Sequence, residues 1–484
     1  MAKNFVNGNG LTINKVLADG ISENFVPVSS WPPGYPVLVG IISFIFHISI
    51  LNAAIVFDCL SITLIIYFSR QILLTVNCQL KWVNLYTLLI GFFLFDFSEL
   101  PATDLNALGF YLLSIAVTLK FIKKGEIGKF FLLGLIVINF IPFSLKYLYA
   151  PLIFIPPVYL FWLGLKTNNK ILRKAGLQFT ISTIVLTIVL FSFQQIYTGN
   201  AAYVTQAITG FFFSNLRNFY YIVISSFTNI VFDYSFLQRL HIIKFGDYYF
   251  LIWWTNLILS ILLIYYFIKT ASKKRVSQFS LKFHYITLGS LTCFITLFEL
   301  ILLSVRYKIK TKSETWTYIQ EARYMAFIVL FLQQVYFIYI YDNWATLKTR
   351  LLKLSGYAIA FFLTIEIIHG IYFTTKILSN RNEFYNPNSI DAHVMKSIRD
   401  QIHDLKKDHP ERTIYFLSSE DLFSYIANLE GAKCSFVHDF SLPKQTSSNS
   451  VILMVKEHDQ SDNNFANSCE KINTIGHFDL LKCK

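Results

Sequence analysis

The stretch Ser29-Ser30-Trp31-Pro32-Pro33-Gly34-Tyr35-Pro36 opens a chain that otherwise consists mostly of long apolar runs. Its prolines fix φ and lack a backbone donor, and its glycine permits a tight turn, so regular helix is not expected here. Trp31 and Tyr35 are aromatic residues of the kind that settle at a membrane–water boundary. The stretch therefore predicts a rigid aromatic loop on the face of a bilayer, with a simple helix start as the alternative.

The composition of the 484-residue chain indicates a membrane protein. Apolar residues make up 54% of it and charged residues 15%, whereas soluble domains contain about 25% charged residues. The net charge of +13 is what basic cytoplasmic loops and contacts with anionic membrane lipids produce in such a protein. Because no helix-turn-helix or zinc-finger spacing accompanies this charge, nucleic acid is not a predicted partner. The sequence also lacks a phosphate-binding P-loop, an H-E-x-x-H motif and a serine nucleophile elbow.

Apolar runs of roughly 17 to 25 residues, the length that spans a bilayer, recur along the chain. They lie near residues 50–70, 82–98, 105–123, 128–144, 147–165, 177–196, 250–269, 281–304, 324–342 and 356–376. The apolar segment 37–48 is too short to cross and is predicted to be an interfacial helix. The predicted fold is a polytopic α-helical membrane protein with about ten transmembrane helices and a small C-terminal α/β domain outside the cytoplasm.

Basic residues concentrate in alternate loops, which predicts that those loops are cytoplasmic. The basic loops lie at 70–81, 120–129, 166–174, 269–282 and 348–353. The proline-rich stretch, the turns at 99–104 and 145–149, the segments 197–249 and 305–323, and everything after about residue 377 are then extracytoplasmic. Segment 305–323 is nevertheless basic, and a phosphate-bearing ligand would explain basic residues on that side.

The last hundred residues differ in character from the rest. Residues 391–407 have the pattern of a surface helix, and residues 413–417 and 451–455 that of buried strands. The predicted domains are 1–49, an extracytoplasmic loop with an interfacial helix; 50–376, a transmembrane bundle; and 377–484, a soluble α/β domain. Cys434, Cys469 and Cys483 fall in the last domain, where one disulfide is possible and its pairing is open.

Candidate functional side chains lie at the predicted outer ends of the spans. Glu99 and Asp104 share one turn and could bind Mg²⁺ or Mn²⁺, or Asp104 could simply cap a helix. Lys146 lies in the next outer turn, where it could meet a ligand or extend to lipid headgroups. Arg323 and Tyr324 precede a span, where they could bind phosphate or anchor the helix at the interface. Arg306, in the basic segment, is a further candidate for phosphate binding.

Charged residues inside apolar spans are rare and often functional. Asp58, Glu299, Glu366 and His369 lie within or near predicted spans. Glu366 and His369 are spaced i and i+3 and can pair on one helix face. We expect structural pairing of these groups, with a proton pathway as the alternative.

Residues 2–40, AKNFVNGNGLTINKVLADGISENFVPVSSWPPGYPVLVG, carry a resemblance to a known class of enzymes. The phrases Ala2-Lys3-Asn4 with Gly8 and Gly10, and Trp31 to Pro36, resemble the end of the first extracytoplasmic loop of GT-C class membrane glycosyltransferases. The most similar group is the 4-amino-4-deoxy-arabinose transferase-like and protein mannosyltransferase-like enzymes. In that family an acidic motif precedes the first phrase, and here it would lie ahead of Met1.

The resemblance implies a transfer reaction on the extracytoplasmic face of a bacterial inner membrane, with the C-terminal domain in the periplasm. The donor is a polyprenyl-phosphate-linked sugar and the acceptor a lipid, a glycan or a protein. It implies that Lys146, Arg323 and Tyr324 face the donor phosphate, that Trp31 and Tyr35 shape the cleft, and that Asp104 acts at the phosphate directly or through a divalent cation. The catalytic base is expected ahead of Met1, so this chain alone is expected to lack it and to be inactive by itself.

Two other classes of function fit the same features. A transporter or flippase for a lipid-linked saccharide would use the basic outer loop without bond chemistry, although such proteins often have internal repeats and the sequence has no clear one. A non-catalytic membrane scaffold would present the C-terminal domain. A segment upstream of Met1 with a helix and an acidic loop would favour the enzyme.

Overall fold

A computed structural model describes residues 1–16, 23–27, 32–93, 103–125, 128–198, 207–214, 280–310, 315–316, 324, 326–343, 390–418, 421–434, 450–457, 469–476 and 478–483. The chain divides into two compact units. One comprises Met1–Val28, Pro36–Ala54 and Phe373–Lys484, and the other Ser29–Tyr35 and Ile55–Tyr372. We call them the terminal unit and the helical unit. The three-part division expected from the sequence stays a prediction.

Helices dominate the chain up to residue 343, and strands are concentrated after residue 412. In chain order, the helices are α1 (Ala2–Val6), α2 (Gly34–Phe46), α3 (Ile50–Thr75), α4 (Leu80–Phe93), α5 (Thr103–Lys124), α6 (Lys129–Leu145), α7 (Ile155–Lys166), α8 (Lys170–Thr198), α9 (Leu281–Arg306), α10 (Ala326–Asn343), α11 (Ile390–Asp408) and α12 (Asp421–Leu429). The strands are β1 (Thr12–Val16), β2 (Glu23–Pro27), β3 (Ala207–Thr209), β4 (Tyr307–Lys310), β5 (Thr315–Trp316), β6 (Thr413–Ser418), β7 (Lys433–Cys434), β8 (Ser450–Glu457), β9 (Glu470–Ile475) and β10 (Phe478–Cys483).

Within the described residues, five helical segments are long and apolar enough to cross a bilayer. They are Asn52–Thr75, Thr103–Lys124, Tyr147–Lys166, Lys170–Tyr197 and Leu281–Arg306, and shorter apolar helices lie at Gly34–Phe46, Phe130–Leu145 and Ala326–Val335. The chain is therefore a helical membrane protein. Eight of the predicted spans coincide with helices. The spans predicted at 250–269 and 356–376 lie outside the described residues, and the number ten stays a prediction.

The outer face of α8 shows why this unit requires a bilayer. Large apolar side chains recur at helical spacing along one face, and each of them is at least two-fifths exposed. They are Ile181, Ile184, Val185, Ile188 and Val189. A continuous apolar stripe of this length would be exposed to water in a soluble protein, whereas in a membrane it faces the lipid tails.

Helix α5 is the central helix of the helical unit. It is the most buried of the five candidate spans, and it contacts α6, α7, α9 and α10. Polar side chains hold these contacts in the apolar interior: Ser114 Oγ donates to Asn139 Oδ1 at 2.7 Å, and the Asn139 amide donates to the carbonyl of Ile153 at 2.7 Å. The hydroxyls of Tyr111 and Thr292 share a hydrogen bond of 2.9 Å that joins α5 to α9. Each of these polar groups, buried among apolar helices, is thereby satisfied by a neighbouring segment.

The terminal unit contains a mixed five-stranded sheet in the order β7-β6-β8-β10-β9. Strand β6 is parallel to β7 and β8, and β10 is antiparallel to β8 and β9. Helices α11 and α12 cover a core that includes Ile398, Phe416, Phe423 and Leu453. The helix predicted at 391–407 and the strands predicted at 413–417 and 451–455 are present. Cys469 is disulfide-bonded, and Cys434 is a buried free thiol.

The first sixteen residues form a helix–turn–strand that packs in this terminal unit. Gly8 and Gly10 have φ values of 81° and 71°, a left-handed conformation that favours glycine. The buried Asn4 side chain donates to the backbone carbonyl of Thr12 at 3.0 Å, and Lys3 Nζ donates to the carbonyl of Asn428 at 2.7 Å. The residues of the first phrase that resembles GT-C enzymes therefore hold a turn and attach it to the C-terminal fold.

The prediction that all of Ser29–Pro36 avoids regular helix is wrong at its end. Helix α2 begins at Gly34 and includes Tyr35 and Pro36 in its first turn. Proline is tolerated there because the first backbone N–H groups of a helix have no intrahelical partner, and its fixed φ suits the helix. The prolines of this stretch therefore start a helix, which was the alternative interpretation, and Tyr35 gains a defined direction from it.

Helices α7 and α8 form a tight antiparallel hairpin because two glycines lie at their crossing. A Cβ atom on Gly176 would overlap the backbone nitrogen of Phe161, and one on Gly164 would overlap the backbone nitrogen of Arg173. Small residues at such crossings let the backbones of membrane helices approach closely. The hairpin therefore depends on the absence of these two side chains.

We expect Gly176→Ala to lower the thermal stability of the protein in detergent, because the added methyl group must push α7 away from α8. Overpacking of this kind costs about 1–3 kcal/mol. Gly134→Ala in α6 is the matched control, since a Cβ atom there meets nothing within 4 Å and alanine is the better helix former. Thermal unfolding followed by tryptophan fluorescence measures both variants. Equal melting temperatures for the two would contradict the close crossing.

Candidate functional site

Asp104 lies in the first turn of α5, at one end of the most buried helix of the bundle. Its side chain is only 5% exposed. A carboxylate in the first turn is favoured by the partial positive charge of the helix N-terminus. That effect is small, so a carboxylate this buried also requires a cation close by.

Lys146 supplies that cation from the turn that follows α6. Its Nζ lies 3.2 Å from Asp104 Oδ2, and its side chain is 12% exposed. The residue takes an extended backbone conformation directly after the helix, with φ −150° and ψ 123°, and its N–H still donates to the carbonyl of Pro142. A short 3-10 turn, Tyr147–Tyr149, then begins. This break in the helix directs the lysine side chain toward α5 instead of along α6.

Tyr324 completes the arrangement from a third region of the chain. The Nζ of Lys146 lies 5.0 Å from the centroid of its ring, within the range of a cation–π interaction. Three predicted site residues that are 42 and 178 positions apart in sequence therefore meet at one ammonium group. We call Asp104, Lys146 and Tyr324 the lysine cluster.

A wall of aromatic rings lies beside the lysine cluster. The ring of Tyr111 on α5 contacts that of Tyr149 at 5.6 Å and that of Phe327 on α10 at 5.5 Å, both in tilted or edge-on arrangements. All three residues are buried. The wall fixes the 3-10 turn after Lys146 and the start of α10 after Tyr324 to the same central helix. The ends of these segments are thus held in place by packing, as a preorganised site requires.

The proline-rich stretch reaches the same turn through Gly34. A Cβ atom on Gly34 would overlap the carbonyl oxygen of Ser144, two residues before Lys146. Next to Gly34, the Tyr35 hydroxyl makes a long hydrogen bond of 3.5 Å to Asp58 Oδ1, and its ring packs on Phe57 at 5.6 Å. Tyr35 therefore lies in this part of the helical unit, as predicted for a cleft residue, although its role in a cleft stays a prediction.

Asp58 also lies in this region, and the sequence did not predict its contacts there. Its Oδ1 accepts from the Asn106 amide at 2.9 Å, and the same amide donates to Ser61 Oγ at 2.7 Å. Asn106 is fully buried and follows Asp104 by two positions on α5. Asp58 was predicted as a charged residue within or near an apolar span, with structural pairing expected and a proton pathway as the alternative, and nothing local linked it to Tyr35. A carboxylate inside an apolar span was the available signal.

The other predicted site residues are placed elsewhere or lie outside the described residues. Arg306 ends α9, where its guanidinium lies 4.9 Å from the ring centroid of Phe211, and β4 begins directly after it. The contacts of Arg306 thus belong to the small sheet β3-β4-β5, not to the lysine cluster. Trp31, Glu99 and Arg323 lie outside the described residues, so their roles stay predictions.

The predicted divalent cation would need carboxylates around Asp104. Among the described residues, no group of three or more His, Cys, Asp and Glu side chains is close enough to hold a metal ion. The partner seen for Asp104 is the Lys146 ammonium, which already supplies a positive charge to that carboxylate. Glu99, the second predicted ligand, lies outside the described residues. A metal at this site stays a prediction.

Comparison with known proteins finds a similarity at the level of structure. No known protein family matches the chain, and no curated protein matches it. Among solved structures, the crystal structure of ArnT from Cupriavidus metallidurans bound to undecaprenyl phosphate is similar over 99% of this chain and 91% of that chain. The sequence identity is 11% and the TM-score 0.40.

We expect Lys146→Met to lower the free energy of unfolding by about 3–5 kcal/mol, because the buried Asp104 carboxylate would lose its cation. Adding Asp104→Asn should restore part of that loss. The control pair is Lys282–Asp342, which is 2.5 Å apart with side chains 26% and 33% exposed and should contribute only about 0–1 kcal/mol. Double-mutant cycles on thermal unfolding measure both pairs. Coupling of the same small size in the two cycles would contradict a buried ion pair at Lys146.

Proposed function

We propose that this protein is a membrane glycosyltransferase that uses a polyprenyl-phosphate-linked sugar as donor. The observation that carries the proposal is the lysine cluster, a nearly buried ammonium held at the end of an apolar bundle by Asp104 and the ring of Tyr324. A nearly buried ammonium at the end of an apolar bundle suits a ligand with a phosphate group and a long apolar tail. The resemblance of Trp31–Pro36 to the GT-C loop supplies the reaction type, and Gly34 of that stretch packs against the turn that carries Lys146.

The charges of the lysine cluster indicate what else the donor needs. Asp104 and Lys146 together carry no net charge, because their charges are −1 and +1. A sugar linked through a phosphodiester adds one negative charge, and an uncompensated anion in a nonpolar site is costly. A further cation is therefore needed to neutralise the phosphodiester. We propose that Arg323, which precedes Tyr324 in the sequence, supplies it. A guanidinium also offers a fork of donors that matches phosphate.

The proposed reaction assigns each residue a role. An acceptor hydroxyl loses its proton to a carboxylate base, and its oxygen forms a bond to the anomeric carbon while the bond from that carbon to the phosphate oxygen breaks. Lys146 and Arg323 stabilise the negative charge that develops on the leaving phosphate. Asp104 and Tyr324 position the Lys146 ammonium. The base is not assigned to any of these residues.

The proposed location follows from the distribution of basic residues. The loops at the opposite end of α5 are rich in lysine and arginine, which favours the cytoplasm, so the lysine cluster would face the outside of a bacterial inner membrane. The disulfide at Cys469 supports an oxidising compartment for the terminal unit. This compartment is the periplasm, where the acceptor, whether lipid, glycan or protein, would be met.

We expect Lys146→Gln to weaken binding of undecaprenyl phosphate at least about tenfold, because one charge-assisted hydrogen bond is lost. Lys166→Gln is the matched control: Lys166 also lies 5.0 Å from an aromatic ring, that of Trp162, but at the far end of the bundle. Native mass spectrometry of the purified chain measures binding, which does not depend on the catalytic base. Equal affinities of the two variants would remove the lysine cluster from the donor site. Binding and transbilayer movement of a polyprenyl-linked sugar without transfer would favour the transporter.

We expect Arg323→Ala to weaken the same binding by a similar factor, since the donor phosphate would lose its balancing cation. Adding EDTA to the wild type and to Asp104→Asn tests the metal. If Asp104 binds Mg²⁺ or Mn²⁺ for the donor, EDTA weakens binding to the wild type and has no effect on the variant. Unchanged binding by Arg323→Ala would show that Arg323 is not the cation, and unchanged binding in EDTA would exclude the metal.

A further inference from the structure

A cavity of about 410 Å³ lies at the end of the helical unit opposite the lysine cluster. The two sites share α5, with Asp104 in its first turn and Lys123 in its last turn. Nineteen positions of helix separate these residues, roughly 28 Å at the helical rise. That separation is close to the thickness of the hydrocarbon core of a bilayer. The cavity therefore opens at the other membrane surface and is distinct from the proposed donor site.

Four polar side chains from three segments line this cavity: Lys123 at the end of α5, Thr167 and Asn169 in the turn between α7 and α8, and His284 in the first turn of α9. Leu163 and Leu281 form part of its apolar wall. The combination of an ammonium, a hydroxyl, an amide and an imidazole beside aliphatic side chains suits a polar anionic group attached to an apolar body.

Thr167 Oγ1 already donates its proton to the carbonyl of Leu163 at 2.8 Å, so the donors available to a ligand come from Lys123, Asn169 and His284. Asn169 Oδ1 accepts from the backbone N–H groups of Ile171 and Leu172 at 2.9 and 3.1 Å, so its NH₂ group points away from the start of α8. His284 is 3% exposed, and its Nδ1 is bonded to the Tyr159 hydroxyl at 2.7 Å. The opposite ring atom, Nε2, remains as the second hydrogen-bonding position of the imidazole.

The sequence at the start of α8 adds positive charge beside the cavity. Lys170, Arg173 and Lys174 lie in its first five residues, and its first turn contains no acidic residue. The N-terminus of a helix carries partial positive charge, so cations there are unfavourable unless an anion compensates. The cavity lies at this helix start, where an anion would offset both charges.

We propose that this cavity binds a phosphate group, with Lys123, Asn169 and His284 as its polar contacts. The expected source is the headgroup of an anionic phospholipid in the leaflet at this end of the bundle, because the cavity combines basic and apolar side chains at the end of membrane helices. Basic pockets between membrane helices on the cytoplasmic side bind such headgroups. The lipid would join the ends of α5, α7, α8 and α9.

The test measures binding of short-chain phosphatidylglycerol, phosphatidylcholine and inorganic phosphate to the full chain in detergent, by native mass spectrometry and thermal unfolding. We expect phosphatidylglycerol to bind and to raise the melting temperature more than phosphatidylcholine. Lys123→Gln should weaken phosphatidylglycerol binding about tenfold. Lys124→Gln is the matched control, because Lys123 and Lys124 are both exposed and, of the two, Lys123 lines the cavity; the affinity of the control variant should stay within about twofold.

The remaining outcomes decide the source of the phosphate or overturn the site. If inorganic phosphate displaces phosphatidylglycerol, the phosphate group alone is recognised; if it does not, the lipid body is required. Equal binding of phosphatidylcholine and phosphatidylglycerol would overturn the proposal. So would an equal loss in Lys123→Gln and Lys124→Gln, since a diffuse attraction of surface charges would then explain the binding.

Discussion

The ion pair between Lys146 and Asp104 is the interaction on which the proposed site depends. Both side chains are almost buried, and in a medium of low polarity neither charge is tolerated without the other. The pair therefore fixes the end of α6 to the start of α5. Because Tyr324 contacts the same ammonium, the segment before α10 is held at this point as well. An anionic ligand that reaches Lys146 would meet a charge that is already positioned.

Backbone constraints place the pair, and they arise from particular residues. The helix before Lys146 contains Pro142 and ends at Leu145, and Lys146 itself is extended. Gly34 allows the start of α2 to lie against Ser144, directly beside this turn. The close α7–α8 hairpin depends on glycines in the same way. Proline and glycine thus have two effects here. They allow a helix to end at a particular residue, and they allow one backbone to approach another closely.

Much of the fold could be predicted from the sequence, and the reason is composition. A run of apolar residues long enough to cross a bilayer has to hydrogen-bond its own backbone, so it becomes helix wherever it is placed. The amphipathic helix and the two buried strands of the C-terminal region were predicted for a similar reason, since their patterns have the periods of helix and strand. The helical start at Gly34 was not the main interpretation, because prolines favour both a loop and a first helical turn.

The candidate site was predicted in part: Lys146, Asp104 and Tyr324 were each chosen as residues at outer helix ends, and the structure brings them together.

By itself the sequence determined that this is a helical membrane protein with a polar α/β C-terminal region, and which residue types stand at the helix ends. Only the tertiary structure decided which of those residues meet. Arg306 was chosen on the same grounds as Lys146, yet it packs on Phe211 instead. Helical periodicity and hydropathy are local quantities that depend on neighbouring residues in the chain. The meeting of Asp104 with Lys146, and of Lys146 with Tyr324, depends on how distant segments pack, and packing is set by side-chain shape across those segments.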